Sequence, residues 1–119
     1  MQQLTGPELL ARRAAGTDAT DGKDGTLPML LLDVREAWEF AHSPIHVDGL
    51  RTLHIPMGEI PGRLAELDPA QPVVCICHHG MRSAQVVAFL AQQGFDAAYN
   101  LAGGTDAWSV HVDSSLPRY

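Results

Sequence analysis

Two short runs of unbroken apolar residues constrain this chain most: Met29-Leu30-Leu31-Leu32, closed by Asp33, and Val73-Val74-Cys75-Ile76, bracketed by Pro72 and Cys77. Runs of this length without polar alternation fit strands buried on both faces, as in a parallel sheet covered by helices on either side. Weaker strand signals lie at Arg51 to Ile55 and at Ala98-Tyr99-Asn100-Leu101. Stretches with helical spacing separate them. Thr5-Gly6-Pro7-Glu8 has the form of a capping box with proline in the first turn, opening a helix through Leu9, Leu10 and Ala14 to Gly16. Arg35 to His42 reads as a short helix with Ala37, Trp38 and Phe40 available for packing, and Trp38 and Trp108 both read as core aromatics. Met57 to Leu67 carries Ile60, Leu64 and Leu67 on one helical face, with a kink or break at Pro61. Ser83 to Gln93 is a helix with Val86, Val87, Phe89 and Leu90 inward and Gly94 as its stop, and a last short helix runs from Thr105 to Ser109 after Gly103-Gly104. Strands alternating with helices predict an α/β layer fold with a mostly parallel sheet. In such sheets ligands sit outside the carboxyl ends of the strands, where Asp33 and Cys77 fall.

A chain of 119 residues that is 45% hydrophobic suits one domain over 1–119 with one core, and no internal repeat is visible. No window holds the eighteen or so apolar residues of a membrane span. The start Met1-Gln2-Gln3-Leu4 lacks the basic region of a secretion signal. With net charge −6 and eight scattered Lys and Arg, there is no basic footprint for nucleic acid. The two cysteines, Cys75 and Cys77, are too close to staple distant parts of a fold, which points to a reducing compartment. A soluble, cytoplasmic protein is expected, with no nucleic-acid or membrane partner. Residues 16–27, rich in Gly and Asp, read as a surface loop. Asp18, Asp21 and Asp24 recur every third position with no closing glutamate, so calcium is not expected there. Nor is zinc: Cys75, Cys77, His78 and His79 crowd four donors into five residues, which cannot easily converge tetrahedrally.

The chemistry concentrates in Cys77-His78-His79-Gly80-Met81-Arg82-Ser83, between a buried strand and a helix. A sulfur placed there meets backbone amides without helical partners and the positive end of the helix dipole, and both favour thiolate over thiol. Gly80 lets the backbone curl and aim its amides inward, and Arg82 adds a fixed positive charge. Such a cradle serves either phosphate-ester hydrolysis by a thiolate or sulfur transfer through a persulfide. Cysteine phosphatases resemble Cys-x5-Arg, whereas Cys77 and Arg82 enclose four residues. The tighter ring crowds a phosphoryl group but can surround the outer sulfur of a persulfide, which favours sulfur. The reading requires Cys77 open to solvent with those amides facing it. A small cysteine phosphatase or arsenate reductase, and a non-catalytic docking module, are the competing readings. Asp33 and Arg35 are candidate substrate contacts at the sheet edge, with an orienting ion pair as the alternative. Cys75 reads as a buried small hydrophobe.

Leu31-Leu32-Asp33-Val34-Arg35-Glu36, His54-Ile55-Pro56-Met57, the loop Cys77 to Ser83, and Asn100-Leu101-Ala102-Gly103-Gly104 with Ala107-Trp108 together resemble the rhodanese family, in family order over about residues 28–109. The resemblance implies a three-layer α/β/α domain with a central, mostly parallel sheet of about five strands. It implies a sulfurtransferase with Cys77 as the sulfur-carrying nucleophile and His78, His79, Gly80, Met81, Arg82 and Ser83 around the substrate. The donor would be thiosulfate or a persulfide, the acceptor a thiol, cyanide or a protein, and no metal or organic cofactor would take part. The segment Trp108 to Tyr119 also resembles rhodanese modules fused behind enzymes that adenylate ubiquitin-like proteins, which hints at a protein acceptor. One departure bears on the donor. Family members active on thiosulfate often carry Arg or Lys just after the cysteine, where this loop has His78 and His79, with less positive charge near neutral pH.

Overall fold

In the computed structural model, which describes residues 2–16 and 28–119, Leu30–Asp33 (β2) and Val73–Ile76 (β4) lie side by side and every residue of both is buried. Three further strands join them: Gln3–Leu4 (β1), Arg51–His54 (β3) and Ala98–Leu101 (β5). Among the described residues they form one sheet in the order β1-β5-β4-β2-β3, with every pair parallel. The two apolar runs therefore hold central positions, which is why they carry no polar alternation. The Gly- and Asp-rich stretch read as a loop lies, beyond Gly16, outside the described residues.

Helices cover both faces. Successive side chains of a strand point to opposite sides, so Leu30, Leu32, Val73 and Cys75 pack on one face with Ile60, Leu67, Val86, Val87 and Leu90. Leu31, Val74 and Ile76 pack on the other with Leu9, Trp108 and Leu116. The first layer comprises helix α3 (Met81–Gln92) and the segment after β3; the second includes α1 (Gly6–Gly16) and α4 (Gly104–His111). Burying a leucine such as Leu31 or Leu90 fully contributes roughly 2 kcal/mol, so the two apolar layers supply the main drive to fold. The result is the expected α/β/α arrangement, with a sheet that is parallel throughout.

The elements follow the local rules that predict them; the helix read from Arg35 begins at Ala37, α4 runs Gly104–His111 rather than Thr105 to Ser109, and three further differences stand out. The capping box closes as expected: the Thr5 amide donates to Glu8 at 2.8 Å and the Glu8 amide to Thr5 Oγ1 at 3.2 Å. Pro61 breaks its segment into two 3-10 helices, Met57–Glu59 and Pro61–Glu66. The first difference is β1, which two residues of edge strand are too few to signal by periodicity. The second is α3, which begins at Met81 rather than Ser83 because Gly80, at φ +99°, turns the chain straight into the helix. The third is Trp38. Helix α2 (Ala37–His42) is a turn and a half long and turns Glu39 inward, which leaves Trp38 63% exposed rather than in the core; Trp108 is buried as expected.

Candidate active site around Cys77

Cys77 follows the last residue of β4, at the carboxyl edge of the sheet. Three donors face its sulfur: the Gly80 amide at 3.1 Å, the Ser83 amide at 3.4 Å and the Ser83 hydroxyl at 3.2 Å. The early start of α3 produces this geometry, because it puts Ser83 in the first helical turn, whose amides have no intrahelical acceptor. The helix dipole adds positive potential at the same point.

The loop carbonyls are held from outside. The amides of Thr105 and Asp106, at the start of α4, donate to the carbonyls of Cys77 at 2.9 Å and His78 at 3.1 Å. Asn100 Nδ2 donates to the Gly80 carbonyl at 3.0 Å. With its carbonyls tied outward, the loop turns its amides inward. Gly104 makes the close approach possible. A Cβ there would lie 2.3 Å from the Cys77 carbonyl oxygen and 2.4 Å from that of His78. Asn100 Oδ1 also accepts from Ser83 Oγ in a short hydrogen bond. The single hydroxyl proton of Ser83 thus serves either Asn100 or the Cys77 sulfur at a given moment.

Arg82 does not close a ring over the sulfur. Its two terminal nitrogens donate to the two oxygens of Glu39, each at 2.7 Å, and the Glu39 side chain is buried. This fork, helped by the Glu36 amide and the Tyr119 hydroxyl and opposed by burial, holds the Glu39 carboxyl down at about 2. The positive charge read from Arg82 is largely spent on a carboxylate the sequence did not mark. Burial chiefly, and His79 secondarily, push the His78 imidazole below its usual range, which favours the neutral ring. His78 stacks between neighbours, its ring centroid 3.9 Å from those of both His79 and Tyr119.

Asp33 and Arg35 are completely buried and bound to each other, with Nη2 and Oδ2 2.6 Å apart. The Arg35 guanidinium also donates to the carbonyls of Glu39 and Ser43 and to the hydroxyls of Ser43 and Tyr119. With its donors engaged, the pair offers a substrate no open surface. It ties β2 to α2 and to Tyr119, which is the orienting alternative. His54 donates from Nε2 to the Arg35 carbonyl at 2.8 Å and stacks on Phe40.

His79 and Met81 face outward, Met81 being 77% exposed, while Gly80 and Ser83 are buried. Cys77 itself is only 1% exposed. The amides are therefore aimed as the chemistry needs, but the sulfur is covered where the sequence reading required it open. Cys75 is wholly buried in β4, and burial first, then the adjacent Cys77, pushes its thiol up to about 12. Sequence reasoning missed Glu39, Asn100, Gly104 and Tyr119. Asn100, Gly104 and Tyr119 stand in segments quoted for the family resemblance, whereas Glu39 gave no signal of its own.

The parallel α/β sheet thus places one cysteine, Cys77, against a cup of helix-terminal amides. Residues 16–111 match the model of the rhodanese-like domain, and the chain belongs to that family. It is 36% identical over 104 residues to a sulfurtransferase of Allochromatium vinosum, covering 87% of this chain and 85% of that protein. It is 36% identical over 78 residues to the thiosulfate sulfurtransferase GlpE of Actinobacillus pleuropneumoniae, covering 66% of this chain and 68% of that protein. Among solved structures, a rhodanese-related protein of Thermoplasma volcanium superposes with a TM-score of 0.72 at 25% identity, over 98% of this chain and 96% of that one. These relatives support rhodanese-type sulfur transfer as the class of function. Among the described residues, no helix is long and apolar enough to cross a membrane.

Proposed function

We propose that the chain carries sulfane sulfur as a persulfide on Cys77. The observation that carries this reading is the convergence of the Gly80 amide and the Ser83 amide and hydroxyl on one sulfur atom. The Cys77 thiolate attacks the outer sulfur of a donor; a new S–S bond forms, and the donor's own bond to that sulfur breaks. The remainder leaves with the electron pair, as sulfite from thiosulfate or a thiolate from a persulfide. A thiol, cyanide or a nucleophilic group of a protein acceptor then attacks the outer sulfur, the bond between the two sulfurs breaks, and Cys77 leaves as thiolate. Each step is a displacement at sulfur, so no oxidant, metal or organic cofactor enters the balance. The amide cup stabilises the charge on the persulfide and the departing Cys77 alike. His78, His79 and Met81 line the approach. Arg82 and Ser83 order it.

Charge at the approach bears on the donor. Arg82 is neutralised by Glu39 and His78 is biased toward its neutral form, so little net positive charge meets a dianion such as thiosulfate. A persulfide donor, with lower charge, fits this approach better. Two thiols and no disulfide among the described residues accord with work in a reducing compartment such as the cytoplasm.

The test is intact mass after incubating reduced protein with thiosulfate, 3-mercaptopyruvate or glutathione persulfide. A gain of one sulfur atom, removed by cyanide and absent in Cys77→Ser, is expected, with glutathione persulfide loading fastest. A Cys77→Ser protein that still gains a labile sulfur would defeat the proposal.

A further inference from the structure

Transfer through Cys77 requires a partner to touch a sulfur that is almost fully covered. We infer that Tyr119 is the specificity-determining residue of this site: its ring, stacked on His78 and tethered through its hydroxyl to Arg35 and Glu39, admits small partners to Cys77 and excludes bulky ones while it stays in place. The inference rests on the sulfur-transfer reading only in taking Cys77 as the reacting atom. Tyr119 also lies outside residues 16–111, the stretch matched by the family model.

Tyr119 contacts Arg35, α2 and His78 beside the Cys77 loop. Its hydroxyl donates to Glu39 Oε2 at 2.8 Å and accepts from Arg35 Nη1 at 3.0 Å. Its ring lies 12° from parallel with His78, which directly follows Cys77 in the chain, and meets Trp38 and His42 edge-on, both at 5.6 Å between centroids. Arg82, at the helix end that forms the cup, shares Glu39 Oε2 with the Tyr119 hydroxyl.

Two observations favour the ring as the part that moves. The chain leading to it is anchored without it: Leu116 is buried and its carbonyl accepts from Ser109 Oγ at 2.8 Å, while Arg118 pairs with both oxygens of Asp106 at 2.8 and 3.2 Å. The ring can leave His78 by rotation at one residue, with the preceding segment in place. The stacked His78 also keeps a polar atom unpaired: its Nε2 is buried without a hydrogen-bond partner among the described residues. Once the stacked ring is gone, His78 is free to turn and bring that nitrogen to water or to an incoming partner, which offsets part of the loss of stacking.

The experiment measures how fast Cys77 in the native, reduced protein reacts with two reagents of one chemistry and different bulk, N-methylmaleimide and N-(1-pyrenyl)maleimide, with the labelled cysteine located by peptide mass. In Tyr119→Ala, which loses the ring's contacts to His78, Trp38 and His42 and both hydrogen bonds of the hydroxyl, the ratio of bulky to small rate is expected to rise about tenfold or more over the natural protein. Tyr119→Phe, which keeps the ring and loses the tether, is expected between the two. An unchanged ratio in Tyr119→Ala overturns the inference. So does labelling of the wholly buried Cys75 alongside Cys77, which would mean that Tyr119 merely holds the fold together. Maleimide labelling needs no sulfur transfer, so failure of persulfide loading and failure of this selectivity read out separately.

Discussion

Arg82 at the head of α3 and Glu39 in α2, 43 positions apart in the chain, meet in a two-bond fork with both nitrogen–oxygen distances at 2.7 Å. The fork joins the helix that feeds the amide cup to the element beneath Tyr119, and it sets how much positive charge the Cys77 loop presents. Breaking it from the Glu39 side leaves a cation without its partner. Glu39→Gln is expected to cost about 2–3 kcal/mol at neutral pH, allowing for solvent screening of the partly exposed Arg82, as measured by urea unfolding.

The same pair fixes an acid limb of stability. The carboxyl titrates at about 2 in the folded chain against an ordinary value of 4.5, so its contribution is complete above pH 4.5 and is lost as pH falls toward 2. Unfolding midpoints measured from pH 6 down to about pH 2 should fall less steeply in Glu39→Gln than in the natural protein. An equal fall in both would show that other carboxylates carry the acid limb.

Gly104 tests whether the loop carbonyls must be tied outward. Alanine there would press its Cβ to 2.3 Å from the Cys77 carbonyl oxygen, at a φ of +61° that L side chains rarely adopt. Gly104→Ala is expected to destabilise the fold by about 2 kcal/mol or more and to slow Cys77 alkylation, because the loop must shift and its amides turn off the sulfur. Thermal unfolding and iodoacetamide kinetics on one preparation check both.

Ser83 contributes its amide and its hydroxyl, and only the hydroxyl can be removed by mutation. Ser83→Ala should slow alkylation of Cys77 at pH 7 by about tenfold, the worth of one hydrogen bond to an ionised sulfur. Asn100 would then lose the proton its Oδ1 receives while keeping its bond to the Gly80 carbonyl, so the loop should hold its shape. An unchanged rate would mean that the amides alone stabilise the thiolate.

The two thiols should behave differently. Cys75 lies inside β4 with its thiol pushed up to about 12, whereas Cys77, though 1% exposed, sits at the sheet edge with amides facing its sulfur. At pH 8 a thiol reagent should therefore find one group in the native chain and both cysteines in denaturant. Counting thiols with a chromogenic disulfide checks this. A second native thiol would contradict the depth of β4.

How far the sequence carries depends on the range of each interaction. Unbroken apolarity at Met29–Leu32 and Val73–Ile76 marks central parallel strands, because a strand covered on both faces has no polar side to show. The capping box at Thr5, the break at Pro61 and the strand-to-helix turn at Cys77–Ser83 are legible for the same reason: each is decided by residues within a few positions. Trp38 marks the limit. In a helix as short as α2 the apolar pattern does not define a face, and an acid takes the inward position because a guanidinium from α3 waits there.

Chain order alone thus determined the parallel α/β layers and the cysteine at the sheet edge, since apolar pattern and backbone geometry are written locally. The tertiary structure decided the rest of the site: Glu39 on Arg82, Gly104 against the loop carbonyls, Asn100 behind Ser83, and Tyr119 across His78. These contacts join residues that become neighbours only once the strand order brings α2, α3 and α4 to one edge of the sheet. No pattern confined to one segment can encode such a meeting, and the same packing covers Cys77.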